Sequence, residues 1–263
     1  MLKSSGAMAG ATLTSRILGM VREMVYAAFM GNSPVASAFI MAFQVPNLFR
    51  RLLGEGALTA AFIPIFKQKE VRDGEAEMWR SANAVISGLV SAAAAVTVLA
   101  VIGISIALAL SPIKPETRLM LQLLRCMFPY MLLVCLAAVF IGMSNARGHF
   151  FVPALGAVVL NVIMIASVLF LAPRMGLTLD KQIFGLAIGV VVAGAVQAAF
   201  QLPSLTREGY RYHWVSPWGD PTVIEVVKKM LPGSIGVAAF QINVLFTQCF
   251  SFWFEPSIVS TFN

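Results

Sequence analysis

Five arginines lie inside or beside long apolar stretches of this sequence, at positions where a charge is costly: Arg16, Arg22, Arg50, Arg51 and Arg125. The planar guanidinium offers a fork of N–H donors that matches the oxygens of phosphate and carboxylate groups, whereas a lysine ammonium acts as a point charge. No lysine lies at the same depth in these stretches. This pattern predicts a site that binds an anion.

Two acids, Glu23 and Glu55, accompany the four arginines of the first two apolar stretches, which leaves a surplus of about two positive charges. A charge in the middle of a bilayer costs at least about 2.5–3.5 kcal/mol, so several are tolerated only where they face one another or a water-filled cavity. We therefore predict a cationic cavity and an anionic substrate that visits it.

Purely structural interpretations stay open for some of these arginines. Arg51 and Glu55 stand four residues apart and can pair along one helix. Arg22 can pair with the acid that follows it, and Arg125, near the start of its stretch, can extend toward the membrane surface. Arg16 has no acid three or four positions away, so it fits a structural role least well.

The composition requires these stretches to be membrane helices. Of 263 residues, 59% are hydrophobic and 12% are charged, and the mean hydropathy is +0.83. A soluble domain has about 45–50% apolar and about 25% charged residues, which supply the polar surface it needs. We predict an all-α, polytopic bundle of transmembrane helices and exclude a soluble enzyme. The net charge of +7 then reflects membrane topology rather than nucleic-acid binding.

Apolar runs separated by glycine- and proline-rich breaks predict about seven helices. They cover residues 6–30, 36–66, 82–110, 119–145, 152–172, 182–203 and 222–254. With a cytoplasmic N-terminus, ten lysines and arginines fall on cytoplasmic ends and loops, including the 67–81 and 204–220 loops, and four fall on the other side. The positive-inside rule therefore favours a multi-pass protein with its N-terminus in the cytoplasm.

A short internal sequence repeat predicts two domains. Residues 33–39 read SPVASAF, and residues 256–262, which follow 223 positions later, read PSIVSTF. Unless this short match is a coincidence, the seventh helix is a second copy of the first, as in transporters built from two repeats. Residues 1–220 then form an N-terminal six-helix lobe, and residues 221–263 supply the first helix of a second lobe.

Two motifs resemble those of the MurJ/MviN-type lipid II flippases, within the multidrug/oligosaccharidyl-lipid/polysaccharide exporter superfamily. The first is SRILGMVRE at residues 15–23, and the second is VPNLFRRLLGEGA at residues 45–57, followed by AFIP at 61–64. The similarity continues through FPY at 128–130 and QLP at 201–203 into the seventh helix. It covers essentially the whole chain.

The resemblance implies half of a two-lobe flippase fold around a cationic central cavity. It implies a transporter of the bacterial cytoplasmic (inner) membrane, not an enzyme, that moves lipid II from the inner to the outer leaflet by alternating access. Lipid II is an undecaprenyl-diphosphate-linked peptidoglycan precursor, so the activity would serve peptidoglycan synthesis, cell wall biogenesis and cell shape. The polyprenyl tail would stay in membrane lipid, and no cofactor is implied.

Carried over residue by residue, the resemblance assigns substrate binding to Arg16, Arg22 and Arg50. It assigns the polar positions of the gate and cavity to Ser15, Glu23, Arg51 and Glu55. It supports no metal site, because Thr247 stands where relatives with a sodium site have an acid.

Two departures from the family pattern leave alternatives open. The family frequently has an aspartate where this chain has Ser37, and the chain ends at Asn263, before an arginine of the family's eighth helix. We therefore expect either a fragment of a longer reading frame or a chain that needs a partner to supply the C-terminal lobe. The alternative functions are a truncated homologue that does not transport and an exporter of another lipid-linked oligosaccharide.

Overall fold

The computed structural model describes residues 2–49 and 57–254, and every regular element in these ranges is a helix. The nine α-helices of the described part are α1 (Leu2–Met30), α2 (Pro34–Phe49), α3 (Ala57–Asp73), α4 (Glu75–Leu110), α5 (Pro115–Met127), α6 (Tyr130–Ala146), α7 (Phe151–Ala166), α8 (Leu179–Arg207) and α9 (Pro221–Phe254). A π-helix at Ser167–Leu171 and a 3-10 helix at Ala172–Met175 continue α7. The predicted all-α fold is confirmed.

Two of the seven predicted segments each correspond to two helices. The predicted segment 36–66 contains α2 and most of α3, and residues 50–56 between them lie outside the described residues. The predicted segment 119–145 contains α5 and α6, which meet at a bend of 41°. Pro129 stands at this bend, and a proline there removes one backbone hydrogen bond of a continuous helix.

The predicted 67–81 loop is almost entirely helical, which corrects the sequence analysis. α3 continues to Asp73 and α4 begins at Glu75, so Gly74 alone, with φ of 87°, separates them. Ion pairs one turn apart stabilise this polar end of α3, Lys67 with Glu70 (2.8 Å) and Lys69 with Asp73 (3.0 Å). Charge ends the apolar run there, but it does not end the helix, because such pairs support helical conformation.

The helices have the lengths and composition of membrane spans. Among the described residues, three segments are long and apolar enough to cross a bilayer: Glu75–Leu110, Phe151–Met175 and Leu179–Arg207. The bent pair of α5 and α6 makes a fourth span if it is taken as one. α8 also runs past its predicted end at residue 203, since Pro203 is accommodated inside the helix, as prolines in membrane helices often are.

Small residues on α8 let it pack against α5, α6 and the continuation of α7. At Gly185 an added Cβ would stand 2.6 Å from the Cα of Ala172, and at Gly194 it would stand 2.6 Å from the ring of Tyr130. Backbones of membrane helices approach this closely where side chains are absent. α8 is therefore the helix on which this side of the bundle is assembled.

An ionic cluster ties four helices together at one end of the bundle, which we call the charged end. Arg147, at the end of α6, bonds Glu208 (3.1 Å) and Glu75 (3.2 Å), and it also pairs with Glu70 of α3. Hydrogen bonds from His149 and then from Arg147 lower the pKa of the Glu208 carboxyl below its ordinary value of 4.5. One guanidinium thus joins the ends of α3, α4, α6 and α8.

We expect Gly185→Ala to lower the free energy of unfolding by about 1–3 kcal/mol, the usual cost of overpacking. The methyl group would meet backbone atoms of Ala172, which cannot move aside as a side-chain end could. The matched control is Gly103→Ala on α4, because nothing lies within 4 Å of an added Cβ there. Thermal unfolding of the purified protein in detergent measures both, and equal midpoints would contradict close packing at Gly185.

Candidate functional site

A cavity of about 690 Å³ lies between α1 and α2. The second half of α1 forms one wall, α2 forms the other, and Met164 of α7 contributes from the side. Among the described residues, its polar lining consists of Arg22, Glu23, Tyr26, Asn32, Gln44 and Asn47. This volume falls within the roughly 300–1,000 Å³ of typical ligand pockets, and amides, a hydroxyl, a cation and a carboxylate converge on it.

Three neighbours fix the guanidinium of Arg22 in this cavity. Its Nη1 donates to Oδ1 of Asn161 at 3.1 Å, and its Nη2 donates to the carboxylate of Glu23. Its Cζ lies 5.7 Å from the centre of the Tyr26 ring, in cation–π range. Within the described residues, Nε is buried without a hydrogen-bond partner. The guanidinium is therefore held in place with its buried Nε–H donor still unused.

Asn161 links α1 to α7 through both ends of its amide. Its Oδ1 accepts from Arg22, and its Nδ2 donates to the backbone carbonyl of Ser15 at 3.1 Å, two helical turns earlier on α1. The residue is only 6% exposed. A buried amide is stable only when its polar atoms are hydrogen-bonded, so these two bonds explain how an asparagine stands in the middle of an apolar helix.

An aromatic wall supports the cavity on the α2 side. Tyr26 meets Phe39 edge to face with ring centres 6.2 Å apart, and Phe39 stacks on Phe43 at 6.1 Å. Phe43 then contacts Tyr130 of α6. The hydroxyl of Tyr26 is buried without a partner among the residues described, so it is a second unused polar atom beside Arg22.

The other site residues predicted on α1 are separated from the cavity. Ser15 takes part through its backbone carbonyl, and it is not among the residues that line the cavity. Arg16 precedes Arg22 by six residues, which places it about 120° around the helix. It lies on an exposed face and has neither a hydrogen bond nor an ion pair in the described part of the chain. The exposed apolar residues on this face are Leu13, Ile17, Met20 and Met24.

Three predicted site residues, Arg50, Arg51 and Glu55, lie outside the described residues. The charged groups of the described lining, Arg22 and Glu23, balance each other. The predicted positive surplus therefore depends on residues that the described cavity does not contain. In the described ranges, no three His, Cys, Asp or Glu side chains come close enough together to hold a metal ion.

Asn161 is the site residue that sequence reasoning missed. It is the only polar side chain in the sixteen residues of α7, and a lone polar residue at membrane depth marks either function or a specific partner. That signal was available in the sequence. The identity of the partner was not, because Arg22 and Asn161 stand 139 positions apart.

The bundle of apolar helices and its polar cavity place the chain among polytopic membrane transport proteins. A family model described as lipid II flippase MurJ matches residues 26–263. The chain belongs to the lipid II flippase MurJ family.

Individual relatives agree with this assignment. The chain is 33% identical to a probable lipid II flippase MurJ of Vibrio cholerae over 99% of its own length and 51% of the relative's. It is 37% identical to a probable lipid II flippase MurJ of Bdellovibrio bacteriovorus, covering 93% of this chain and 47% of the relative. The chain thus spans about half the length of the curated relatives it matches.

A solved structure shows the same fold. It is a lipid II flippase MurJ in an inward closed conformation, which superposes with a TM-score of 0.72 at 23% identity. The match covers 90% of this chain and 49% of that one. The helical arrangement described above is therefore that of half of a MurJ structure.

We expect Asn161→Leu to destabilise the protein by about 1–3 kcal/mol, because it leaves a partly buried arginine donor without its partner. Asn161→Asp is the matched variant, since a carboxylate still accepts from Arg22. A double-mutant cycle with Arg22→Ala, measured by thermal unfolding, isolates the contact. If the effects of Asn161→Leu and Arg22→Ala simply add, the asparagine does not act through Arg22.

Proposed function

We propose that this chain forms the N-terminal part of a lipid II flippase of the bacterial cytoplasmic membrane. The flippase moves the undecaprenyl-diphosphate-linked peptidoglycan precursor from the inner to the outer leaflet by alternating access. Residues 1–220 form the first lobe, and α9, within residues 221–263, begins a second. Family membership supports this proposal, together with relatives named for the same substrate.

The geometry of Arg22 is the observation that carries the proposal. The side chain is 24% exposed, its two terminal nitrogens are already bonded, and Nε is buried and unused. A diphosphate oxygen that enters the cavity supplies the missing acceptor after a small shift of the side chain. Charge-assisted bonds of this kind are about twice as strong as neutral ones. Glu23 competes for the same guanidinium, so the anion displaces or bridges it.

Arg16 has a different part in the proposed transporter. It stands on the exposed face of α1, among exposed apolar side chains. A patch of such side chains is unfavourable in water and indicates a surface that another part of the protein or lipid covers. A second lobe packed against this face buries Arg16 in the central cavity between the lobes, about 120° around α1 from Arg22. The remaining charge predicted from the sequence is carried by Arg50, Arg51 and Glu55, which lie outside the described residues.

The proposed transport cycle needs no covalent step. Arg22 binds the diphosphate in a cavity of low dielectric, where such bonds are strengthened, while the polyprenyl tail remains in lipid. The two lobes then rock around the bound head group. One elementary charge that crosses the membrane is worth about 2.3 kcal/mol per 100 mV, so the membrane potential or an ion gradient can drive the cycle.

We expect Arg22→Lys in the full-length protein to lose transport nearly as completely as Arg22→Ala, because an ammonium cannot reproduce the guanidinium fork. Arg125→Lys is the control: Arg125 is an exposed cation that bonds Ser105 at 3.3 Å. Flippase-depleted cells carrying each variant at matched expression are assayed for lipid II at the outer leaflet. Full transport by Arg22→Ala would remove this arginine from the mechanism, and accumulation of another lipid-linked oligosaccharide would change the substrate.

We expect the charged end of the bundle to face the cytoplasm, as the positive-inside rule predicts. Val71, near that end, and Leu177, beyond the far end of α7, are both well exposed. In intact cells, a membrane-impermeant thiol reagent should label Leu177→Cys, and it should reach Val71→Cys only after permeabilisation. The parent protein serves as the control for its native cysteines. Labelling of Val71→Cys from outside would reverse the orientation.

A further inference from the structure

The connection between α8 and α9 is an extended segment, residues 208–220, that is fixed at both ends; we call it the strap. Near its start, Tyr210 is buried with its ring 5.5 Å from that of Trp79. At its other end, Asp220 accepts from the backbone N–H of Thr222 at 2.8 Å and from Arg80 at 3.1 Å. The strap is therefore packed against the rest of the bundle at both of its ends.

Contacts to α4 also fix the middle of the strap. Asn83 donates to the carbonyl of Arg211 at 3.0 Å, and the hydroxyls of Ser87 and Tyr212 lie 3.3 Å apart. Pro217 packs directly on Gly88, where an added Cβ would stand 3.1 Å from the proline Cβ. The backbone thus follows α4 for more than one helical turn, from Asn83 to Gly88.

The outward side chains of this well-fixed segment are large and aromatic. Tyr212 is 51% exposed, Trp214 is 59% exposed and Trp218 is 82% exposed. Aromatic side chains normally contribute to stability by being buried, and these three contribute little to the core. A group of exposed aromatic residues on a rigid backbone indicates a surface that meets an apolar or interfacial environment.

The position of the strap along α4 identifies that environment. From Gly88 to the end of α4 at Leu110 there are 22 residue steps, which correspond to about 33 Å. The hydrocarbon core of a bilayer is about 30 Å thick. Apolar side chains exposed on this part of α4 are Val96, Val98, Leu99, Ile102, Ile106 and Leu110. The strap therefore lies at the level of the headgroups, where tryptophan and tyrosine are enriched in membrane proteins.

Unpaired cations accompany these aromatic residues. Arg207, Arg211 and Lys228 are exposed, and their side chains form no hydrogen bond or ion pair in the described ranges. Other cations at the charged end do have acidic partners, among them Lys67, Lys69, Arg80, Arg147 and Lys229. At the charged end, within the described ranges, the cations without an acidic partner are therefore those that accompany the strap.

We propose that the strap, with Arg207, Arg211 and Lys228, is a docking surface for the headgroups of anionic phospholipids. The tryptophans lie at the level of the glycerol backbone, and the cations bind lipid phosphates. Each lysine or arginine close to an anionic membrane surface increases the affinity of the protein for that surface by about fivefold. Two or three such cations therefore favour anionic over zwitterionic lipid. The surface lies at the charged end of the bundle, away from the cavity between α1 and α2, and it is independent of the transported substrate.

Tryptophan quenching by brominated lipids tests this proposal in the reconstituted full-length protein. Trp214 or Trp218 is kept as the single tryptophan, with phenylalanine at every other tryptophan position. Vesicles contain brominated phosphatidylglycerol or brominated phosphatidylcholine, with bromine placed near the headgroup or deep in the chain. We expect shallow bromine to quench more strongly than deep bromine, and phosphatidylglycerol to reach half-maximal quenching at the lower mole fraction.

The combined variant Arg207→Gln/Arg211→Gln should raise the half-maximal mole fraction of phosphatidylglycerol about fivefold or more, with the shallow depth retained. Arg211→Lys should keep most of the preference, because charge rather than the fork carries it. Arg174→Gln, an exposed cation at the opposite end of the bundle, should change nothing. Equal quenching by the two lipids overturns the assignment to anionic headgroups. Absence of quenching shows that something other than lipid covers the strap, and overturns the proposal as a whole.

Discussion

The hydrogen bond between Arg22 and Asn161 joins α1 to α7 at membrane depth, and the geometry of the cavity depends on it. A guanidinium inside an apolar bundle needs acceptors, and a buried amide needs partners at both of its ends. Asn161 meets both needs, since it accepts from Arg22 and donates to the backbone of Ser15. Glu23 and Tyr26 complete the surroundings. The arginine is consequently held in one orientation by contacts on α1 and α7.

The rest of the bundle keeps this arrangement in register without filling the space beside it. α8 packs closely on its neighbours because glycines face them, and the Arg147 cluster joins four helix ends. α1 packs on α7 and α2 packs on α5, while the space between α1 and α2 is the cavity. Rigid packing on one side and an open space on the other are what a transporter needs if it is to bind a substrate and still rearrange.

The length of α4 relates the bundle to the membrane. Its first turns carry the ionic contacts and the strap, and its remaining turns expose apolar side chains over about the thickness of a bilayer. The first turns of α4 therefore lie at the level of the headgroups, and its remaining turns lie in the hydrocarbon layer.

The sequence by itself determined the all-α class, the membrane location and the family. Apolar composition over such a length has no other stable outcome, and the motifs around Arg16, Arg22 and Arg50 resemble one family of transporters. It also indicated which arginines stand too deep to be ordinary surface charges. These features are local, because hydropathy, spacing and residue type can be read along the chain.

Tertiary structure alone decided which partners those charges have. Arg22 and Asn161 meet across 139 positions, and Arg16 faces away from Arg22 although the same motif carries both. Helix packing sets such contacts, because the direction of a side chain depends on how each helix is rotated against its neighbours, and that rotation is fixed only when the whole bundle assembles.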